Sequence, residues 1–380
     1  MSIIIVDDNL TNQLIIVRIL ENAGYKDLLT ASSAQELFIH LKMDTSNTQE
    51  LPVDLILLDM MMPAIDGVEA CRRIQDQSHL RDIPIVFVTA MGDSNKMAEA
   101  LDAGAIDYVM KPINKIELLA RIRSALRLKY EKNWHKERDK HINSELELAK
   151  QVQGSVLSQP IDDENVKIDA FYQPSFELAG DFYAWYRISE HRYGIILLDM
   201  MGHGISSSLV CMFISSVLQD TIKKITDPEQ VISELNRYMN RLNMPDKLVN
   251  YYFTAIYLVL DTEEKTIEYV NAGHPPGLVF MDDQVVQLEQ SSCAVGFFEK
   301  INISKGKLKY TGSLQIVLYT DGLMEFVQED RDSNLELEVF TAQLKNYKDL
   351  AFADLAANFD LRDNEVIQED DICLVRISTK

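Results

Sequence analysis

The sequence predicts two domains of unlike architecture joined by a helix. The first is an α/β doubly wound domain with a five-stranded parallel sheet, and the second is an α+β domain with an antiparallel β-sandwich flanked by helices. Three observations predict this. Residues 3–125 alternate short apolar runs with amphipathic stretches, the pattern of a parallel sheet covered on both faces. Residues 115–158 lack proline, lack glycine before Gly154 and are dense in charge, as a long helix requires. After Pro160 the pattern changes to alternating strands around two amphipathic helices. At 380 residues the chain is long enough for two cores and a linker. The expected boundaries are 1–124, 125–158 and 159–380.

In the first domain, IIIVD, LLTA, VDLILLD, Pro84 to Val88 and Asp107 to Met110 read as strands. Helices are expected at Asn12 to Ala23, Ala34 to Met43 and from about Asn114, giving five strands and five helices in all. The run Val53 to Leu58 is apolar without alternation, as a strand covered on both faces must be, and it ends on Asp59. Carboxyl ends of parallel strands form the ligand edge of such a sheet. There the first strand offers Asp7 and Asp8, the third Asp59, the fourth Thr89 and the fifth Lys111. Three carboxylates at one edge repel one another unless a hard cation neutralises them, so Mg2+ is expected with Asp7, Asp8 and Asp59. A phosphoryl group on Asp59 would be held by that ion, the Lys111 ammonium and the Thr89 hydroxyl. An Asp before a turn is usually a cap, and Lys-Pro is usually a solvated turn; the joint placement of five residue types at strand ends argues against those readings.

The Asp7-Asp8 pair, LLDMMMP, Thr89-Ala90 and Lys111-Pro112 stand at the spacing of response-regulator receivers, and this domain resembles that family over its whole length. The resemblance implies a flavodoxin-like fold, phosphorylation of Asp59 and a two-component partner, a cognate histidine kinase or phosphotransfer protein. It also implies switch roles for Thr89, Tyr108 and Lys111, with Tyr108 turning inward when the threonine engages phosphate. Asp66-Gly67 fits the turn after the phosphorylated strand.

Along the linker, Leu118, Ile122, Leu126, Tyr130 and Trp134, then Leu146, Ala149, Val152 and Val156, keep three-to-four-residue spacing, interrupted by a polar stretch from His135 to Ser144. A coiled-coil homodimer and a solvated spacer helix both fit. The formal charge of -22, from 37 basic and 59 acidic residues, argues against nucleic acid or an anionic membrane as partner. Cys71, Cys211, Cys293 and Cys373 form no CxxC pair and mostly lie in apolar runs, so reduced thiols and no zinc site are expected. No apolar run approaches the roughly 18 residues of a spanning helix, and the chain opens on a strand rather than a leader. A cytoplasmic protein is expected.

In the second domain, strands are expected at Tyr193 to Leu198, Phe253 to Leu260, Thr266 to Asn271, Gln315 to Tyr319 and Ile372 to Ile377. Helices are expected at Ile205 to Lys224 and Pro228 to Asn243. Acidic motifs mark the strand ends: AGDFY with Asp181, LLDMMGHG with Asp199, LYTDG with Asp321, and EDDIC with Asp370 and Asp371. Separated carboxylates from several strands suit a pair of hard divalent cations.

These motifs, with NAGHPP at 271–276 and the preceding ELELAKQVQGSVLSQP, resemble the bacterial sporulation and stress-response group of the PPM, or type 2C, metal-dependent serine/threonine phosphatases, over residues 145–378. The resemblance implies two Mn2+ or Mg2+ ions, bridged by Asp199, with the Met200 carbonyl on one. Asp321 and Asp370 would complete one shell and Asp181 the other. It implies in-line attack of a hydroxide on phosphoserine or phosphothreonine without a phosphoenzyme. Two departures are Ala179 in place of a usual glycine and Ala184 in place of a usual acid. Asp370 rather than Asp371 is expected as the ligand, while His203 and His274 are expected to pack loops. The helix from Ile205, directly after the bridging aspartate, is a candidate switch element.

The combined expectation is a response regulator whose output is a protein phosphatase. The implied substrate is a phosphorylated anti-anti-sigma (STAS) protein in a stress sigma-factor or biofilm pathway. The alternative is a noncatalytic adaptor using a phosphatase-like fold under receiver control, against which stand the four retained aspartates. Action on small phosphoesters is a third reading.

Overall fold

The structure is a computed structural model describing residues 1–43, 53–90, 94–202, 204–243, 250–281, 284–327, 341–342 and 370–380. Two compact units form, Met1–Ile142 and Asn143–Lys380.

In the first unit, strands β1 (Ser2–Val6), β2 (Asp27–Ala31), β3 (Leu55–Asp59), β4 (Ile85–Thr89) and β5 (Asp107–Met110) make a parallel sheet in the order β2-β1-β3-β4-β5. Period-two alternation sorts each buried strand onto two cores. Ile4, Val6, Ile56, Leu58, Ile85 and Phe87 meet Leu37 and Ile74 on one face. Ile3, Ile5, Leu55, Leu57, Val86 and Val88 meet Ile16, Leu20, Leu118 and Ile122 on the other. Both faces are covered because helices α1 (Leu10–Asn22), α2 (Ala34–His40), α3 (Gly67–Gln75), α4 (Ser94–Asp102) and the start of α5 (Lys115–Val156) alternate with the strands. Caps set the helix starts: Asn9, Ser33 and Asp66 side chains accept backbone N–H groups of α1, α2 and α3. The strand order reverses between β1 and β3, so their carboxyl ends flank a crevice.

Helix α5 is continuous over 42 residues. Its predicted apolar stripe is only partly the buried face. Leu118, Ile122 and Leu126 are buried, whereas Tyr130 and Trp134 are exposed and residues 131–145 all face solvent. In its last turns Gln153 is buried while Val152 and Val156 are exposed.

In the second unit, one antiparallel sheet has the order β14-β11-β10-β9-β8 and the other β13-β12-β15-β16-β7-β6. The strands are β6 (Ile161–Asp162), β7 (Val166–Gln173), β8 (Phe182–Arg187), β9 (Arg192–Met200), β10 (Phe253–Asp261), β11 (Thr266–Ala272), β12 (Gly277–Met281), β13 (Gln284–Leu288), β14 (Gly306–Lys309), β15 (Leu314–Tyr319) and β16 (Ile372–Thr379). Residues of both sheets, among them Leu197, Ile256, Ile316 and Val375, share one core. Helices α6 (Ile205–Ile222) and α7 (Pro228–Leu242) lie against β9 and β11, so Tyr193–Leu198 is buried on both sides.

Helix α6 departs from expectation in one respect: its 18 residues, at mean hydropathy 1.4, are long and apolar enough to cross a membrane by length and composition. Half of it is buried in the fold, with Cys211, Ile214 and Leu218 in the core. The short helix α8 (Asp321–Val327) begins on a predicted site residue.

Candidate functional sites

The carboxyl edge of the first sheet gathers the predicted residues. Asp7 and Asp59 are buried and Asp8 is exposed, and one carboxylate oxygen from each lies within 4.8 Å of the others. Lys111 Nζ donates to Asp7 Oδ2 at 2.8 Å and to Asp59 Oδ2 at 2.7 Å. Burial raises the Asp59 pKa; the Lys111 hydrogen bond opposes this and the Asp7 charge adds to it. Burial pulls the Lys111 pKa down, but the hydrogen bonds to Asp59 and Asp7 outweigh it, so Lys111 stays charged. Asp7 Oδ1 accepts from Asn9 N and Asn12 Nδ2, which fixes its rotamer. Parallel register sets Asp59 opposite Val88 and Thr89 opposite Met110, so Asp59, Thr89 and Lys111 end neighbouring strands. Thr89 is fully buried, and Tyr108 is half-buried against the core. Gly67 is required where it stands, because a Cβ there would lie 2.2 Å from the Asp59 carbonyl oxygen. The three carboxylates offer only hard oxygen donors, so the set fits a cation such as Mg2+.

In the other unit a second set of acids lies where strands of both sheets end, within electrostatic reach of Asp181 but more widely spaced than the first set, whose oxygens alone among the described residues gather within 4.8 Å. Antiparallel register pairs Phe182 with Leu198, bringing Asp181, just before β8, beside Asp199 near the end of β9. Thr320 N donates to the Cys373 carbonyl, bringing Asp321 beside Asp370 and Asp371. Thr320 Oγ1 donates to Asp181 Oδ2 at 2.8 Å, tying one sheet to the other at the site. Asp181 is buried; burial first, then the Asp199 and Asp371 charges, push its pKa well up, and the Thr320 hydrogen bond opposes them. Carboxylates that penalise one another in this way are a fit for divalent cations, which carry the charge that ionises them.

The neighbouring acids differ in their surroundings. Asp371 Oδ1 accepts from Ser175 N at 2.8 Å and Ser175 Oγ at 2.9 Å, and its Oδ2 accepts from Gly180 N at 2.7 Å. Asp370 is half-exposed, and its Oδ1 accepts the Asp371 N–H at 2.8 Å. A Cβ at Gly322 would lie 2.1 Å from the Asp371 carbonyl oxygen, so only glycine lets α8 start against β16. Met200 is buried, and Met201 N donates to the Tyr252 carbonyl at 3.0 Å. His274 Nδ1 lies 2.8 Å from Thr254 Oγ1, the residue opposite Asp199, and burial pushes its pKa down to about 3. His203 lies outside the described residues.

Gln153 escaped the sequence reading. On α5 it is buried, its Nε2 donates to the Ala179 carbonyl at 2.7 Å and its Oε1 accepts from Ala179 N at 3.1 Å. It thus clamps the backbone two residues before Asp181. A glutamine in a charged helix reads as solvated, and only its place one turn before the buried Leu157 would have marked it.

Comparison with known proteins agrees with both halves. Residues 3–123 match the response regulator receiver domain and residues 189–380 match the family described as Stage II sporulation protein E (SpoIIE). Fold and sites together define a response-regulator receiver followed by a PP2C-like domain. The chain belongs to the SpoIIE family. Phosphoserine phosphatase RsbP of Bacillus subtilis (strain 168) is 39% identical over 242 residues, 62% of this chain and 58% of that protein. Transcriptional regulatory protein YvrH of the same organism is 41% identical over 130 residues, 34% of this chain and 51% of that protein. The chain therefore spans little more than half the length of either. The SiaA PP2C domain of Pseudomonas aeruginosa shares the fold, with a TM-score of 0.54 at 18% identity over 63% of this chain and 97% of that one.

Proposed function

We propose that the chain is a two-component response regulator whose output is a metal-dependent phosphoserine/phosphothreonine protein phosphatase, gated by phosphorylation of Asp59. The observation that carries the reading is the buried Asp181, crowded electrostatically by Asp199, Asp371 and Asp321 and held by Thr320. In this reading Asp181, Asp199, Asp321, Asp370 and the Met200 carbonyl hold two Mn2+ or Mg2+ ions, while Asp7, Asp8 and Asp59 hold Mg2+. Bound cations supply charge neutralisation for the phosphoryl oxygens and a water of lowered pKa. The protein's own work is positional: Asp371 holds Ser175 and Gly180, Gln153 holds Ala179 between them, and Thr320 orients the Asp181 carboxylate. The three hydrogen bonds by which Asp371 holds Ser175 and Gly180 support Asp370 as the ligand of the pair.

At the receiver, Lys111 offers a cation to a phosphoryl group on Asp59, and Thr89 a hydroxyl. Kinase or phosphotransfer partner, STAS substrate, homodimerisation and a cytoplasmic location complete the proposal; the likeness to phosphoserine phosphatase RsbP supports the phosphoserine part of it. Helix α5, which begins in the receiver and carries Gln153, is the proposed transmission element. The adaptor reading is disfavoured by the retention of all four aspartates. The test is manganese-dependent hydrolysis of p-nitrophenyl phosphate by the full chain and by Asp199→Asn. Turnover lost in the variant with an unchanged circular dichroism spectrum supports the assignment, and full turnover in the variant rejects it.

A further inference from the structure

In the second unit a groove of about 890 Å³ is lined by α7, Asn243 and residues 299–302. Asn236 and Asn240 on α7 and Asn243, its C-cap, build it. Asn236 accepts from Gly296 N at 2.7 Å and donates to the Phe298 and Glu299 carbonyls. Asn240 donates to the Phe298 carbonyl. Asn243 donates to the Tyr251 carbonyl at 2.7 Å and accepts from Tyr251 N at 2.9 Å. These bonds fix the backbone opposite the helix, so the groove is a preformed surface.

Its charge is unlike that of the whole chain. Arg237, Arg241 and Lys300 line it against Glu299, in a protein of formal charge -22. Arg237 is held by Glu234, but Arg241 lies over the Tyr238 ring and Lys300 is exposed; neither makes an ion pair among the described residues. A short run of backbone links the groove to the proposed catalytic edge. Tyr251, held by Asn243, precedes Tyr252, whose carbonyl accepts from Met201 N, and Thr254 stands opposite Asp199. Phe297 and Phe298 are more than half exposed; Phe297 stacks edge-on with Tyr252 at 5.1 Å and with Phe298 at 4.8 Å.

We propose that this groove is a docking site for an acidic segment of the phosphoprotein substrate, with Arg241 and Lys300 reading its carboxylates and the Phe297-Phe298 pair seating apolar side chains nearer the phosphoserine. The assignment of substrate rests on the phosphatase reading; the binding of an acidic segment does not. Charged contacts at the rim of an interface select partners and speed encounter rather than drive chemistry, so the effect belongs in KM and not in kcat.

The test compares the full chain with Arg241→Glu/Lys300→Glu on three substrates in manganese: a phosphoserine peptide with a glutamate-rich tail, the same peptide with a glutamine-rich tail, and p-nitrophenyl phosphate. A fluorescently labelled glutamate-rich tail without phosphoserine is titrated in parallel by anisotropy. The proposal expects KM for the acidic peptide to rise by roughly tenfold in the variant. It further expects unchanged kcat, unchanged p-nitrophenyl phosphate turnover and weaker tail binding. Equal KM values for the two peptides, or tail binding that survives charge reversal, overturns it. No turnover by the unaltered chain on any substrate rejects the phosphatase reading alone, and the tail titration still decides the groove.

Discussion

Asp370 and Asp371 are chain neighbours whose surroundings give them different work. Asp371 is 3% exposed and accepts three hydrogen bonds from Ser175 and Gly180, so removing it releases the loop that carries Asp181. Asp371→Asn, which keeps an acceptor for Ser175 but cannot accept from Gly180, should lower metal affinity or turnover roughly 10- to 100-fold. Asp370→Asn should abolish binding of one ion outright, as read by calorimetric manganese titration; equal stoichiometry in both variants would refute the division of roles. His274 supplies a pH prediction. Its folded pKa of about 3 lies below the ordinary 6.5, so the unfolded chain binds the proton more readily. Stability from this residue is therefore complete above the unfolded value and falls as pH drops from about 6.5 toward 3. Urea midpoints across that window should fall less steeply for His274→Asn than for the unaltered chain. At this scale the strand-end acids were legible, because a charged residue closing an apolar run has few structural excuses. Gln153 and Thr320 were not legible, since their roles depend on partners 26 and 139 positions away.

Among the elements, α7 shows how a local signal and a tertiary contact share one residue. Asp227 caps it by accepting from Glu229 N at 3.1 Å and Gln230 N at 3.3 Å, and also pairs with Lys305. Asp227→Ala should destabilise the second unit by about 1 kcal/mol from the lost cap, read as a lower denaturant midpoint at constant slope. Early in α5, Lys129 meets Asp54 and Lys132 and Lys136 meet Asp82, ion pairs that hold successive turns of the helix on the first unit. Lys132→Ala/Lys136→Ala should speed amide exchange over residues 129–142 without changing the receiver core; unchanged exchange would show those exposed pairs to be ornamental. The long strands and helices were legible from periodicity. β13, reading QVVQL, lacks a clean alternation, β14 alternates over only four residues, and β8 was read for the aspartate before it rather than its FYAWYR strand.

Among the described residues each unit has its own core and its own set of acidic side chains, and what the proposed function adds is communication between the units. Asp59→Ala should leave basal hydrolysis intact while removing any response to a phosphodonor, since Asp59 lies in the receiver and Asp181 in the other unit. The two architectures were legible because a parallel sheet covered on both faces and an antiparallel sandwich leave different hydrophobic rhythms. The proposed communication left no such trace, because it would depend on which residues of α5 are buried. The most direct test is the hydrolysis of p-nitrophenyl phosphate and of a phosphoserine STAS protein with manganese, with and without beryllofluoride on Asp59. Manganese-dependent turnover that changes with beryllofluoride, and does not change in Asp59→Ala, is the predicted result. Turnover identical with and without beryllofluoride would contradict the gate, and none in any condition, with the partner still bound, would establish an adaptor instead.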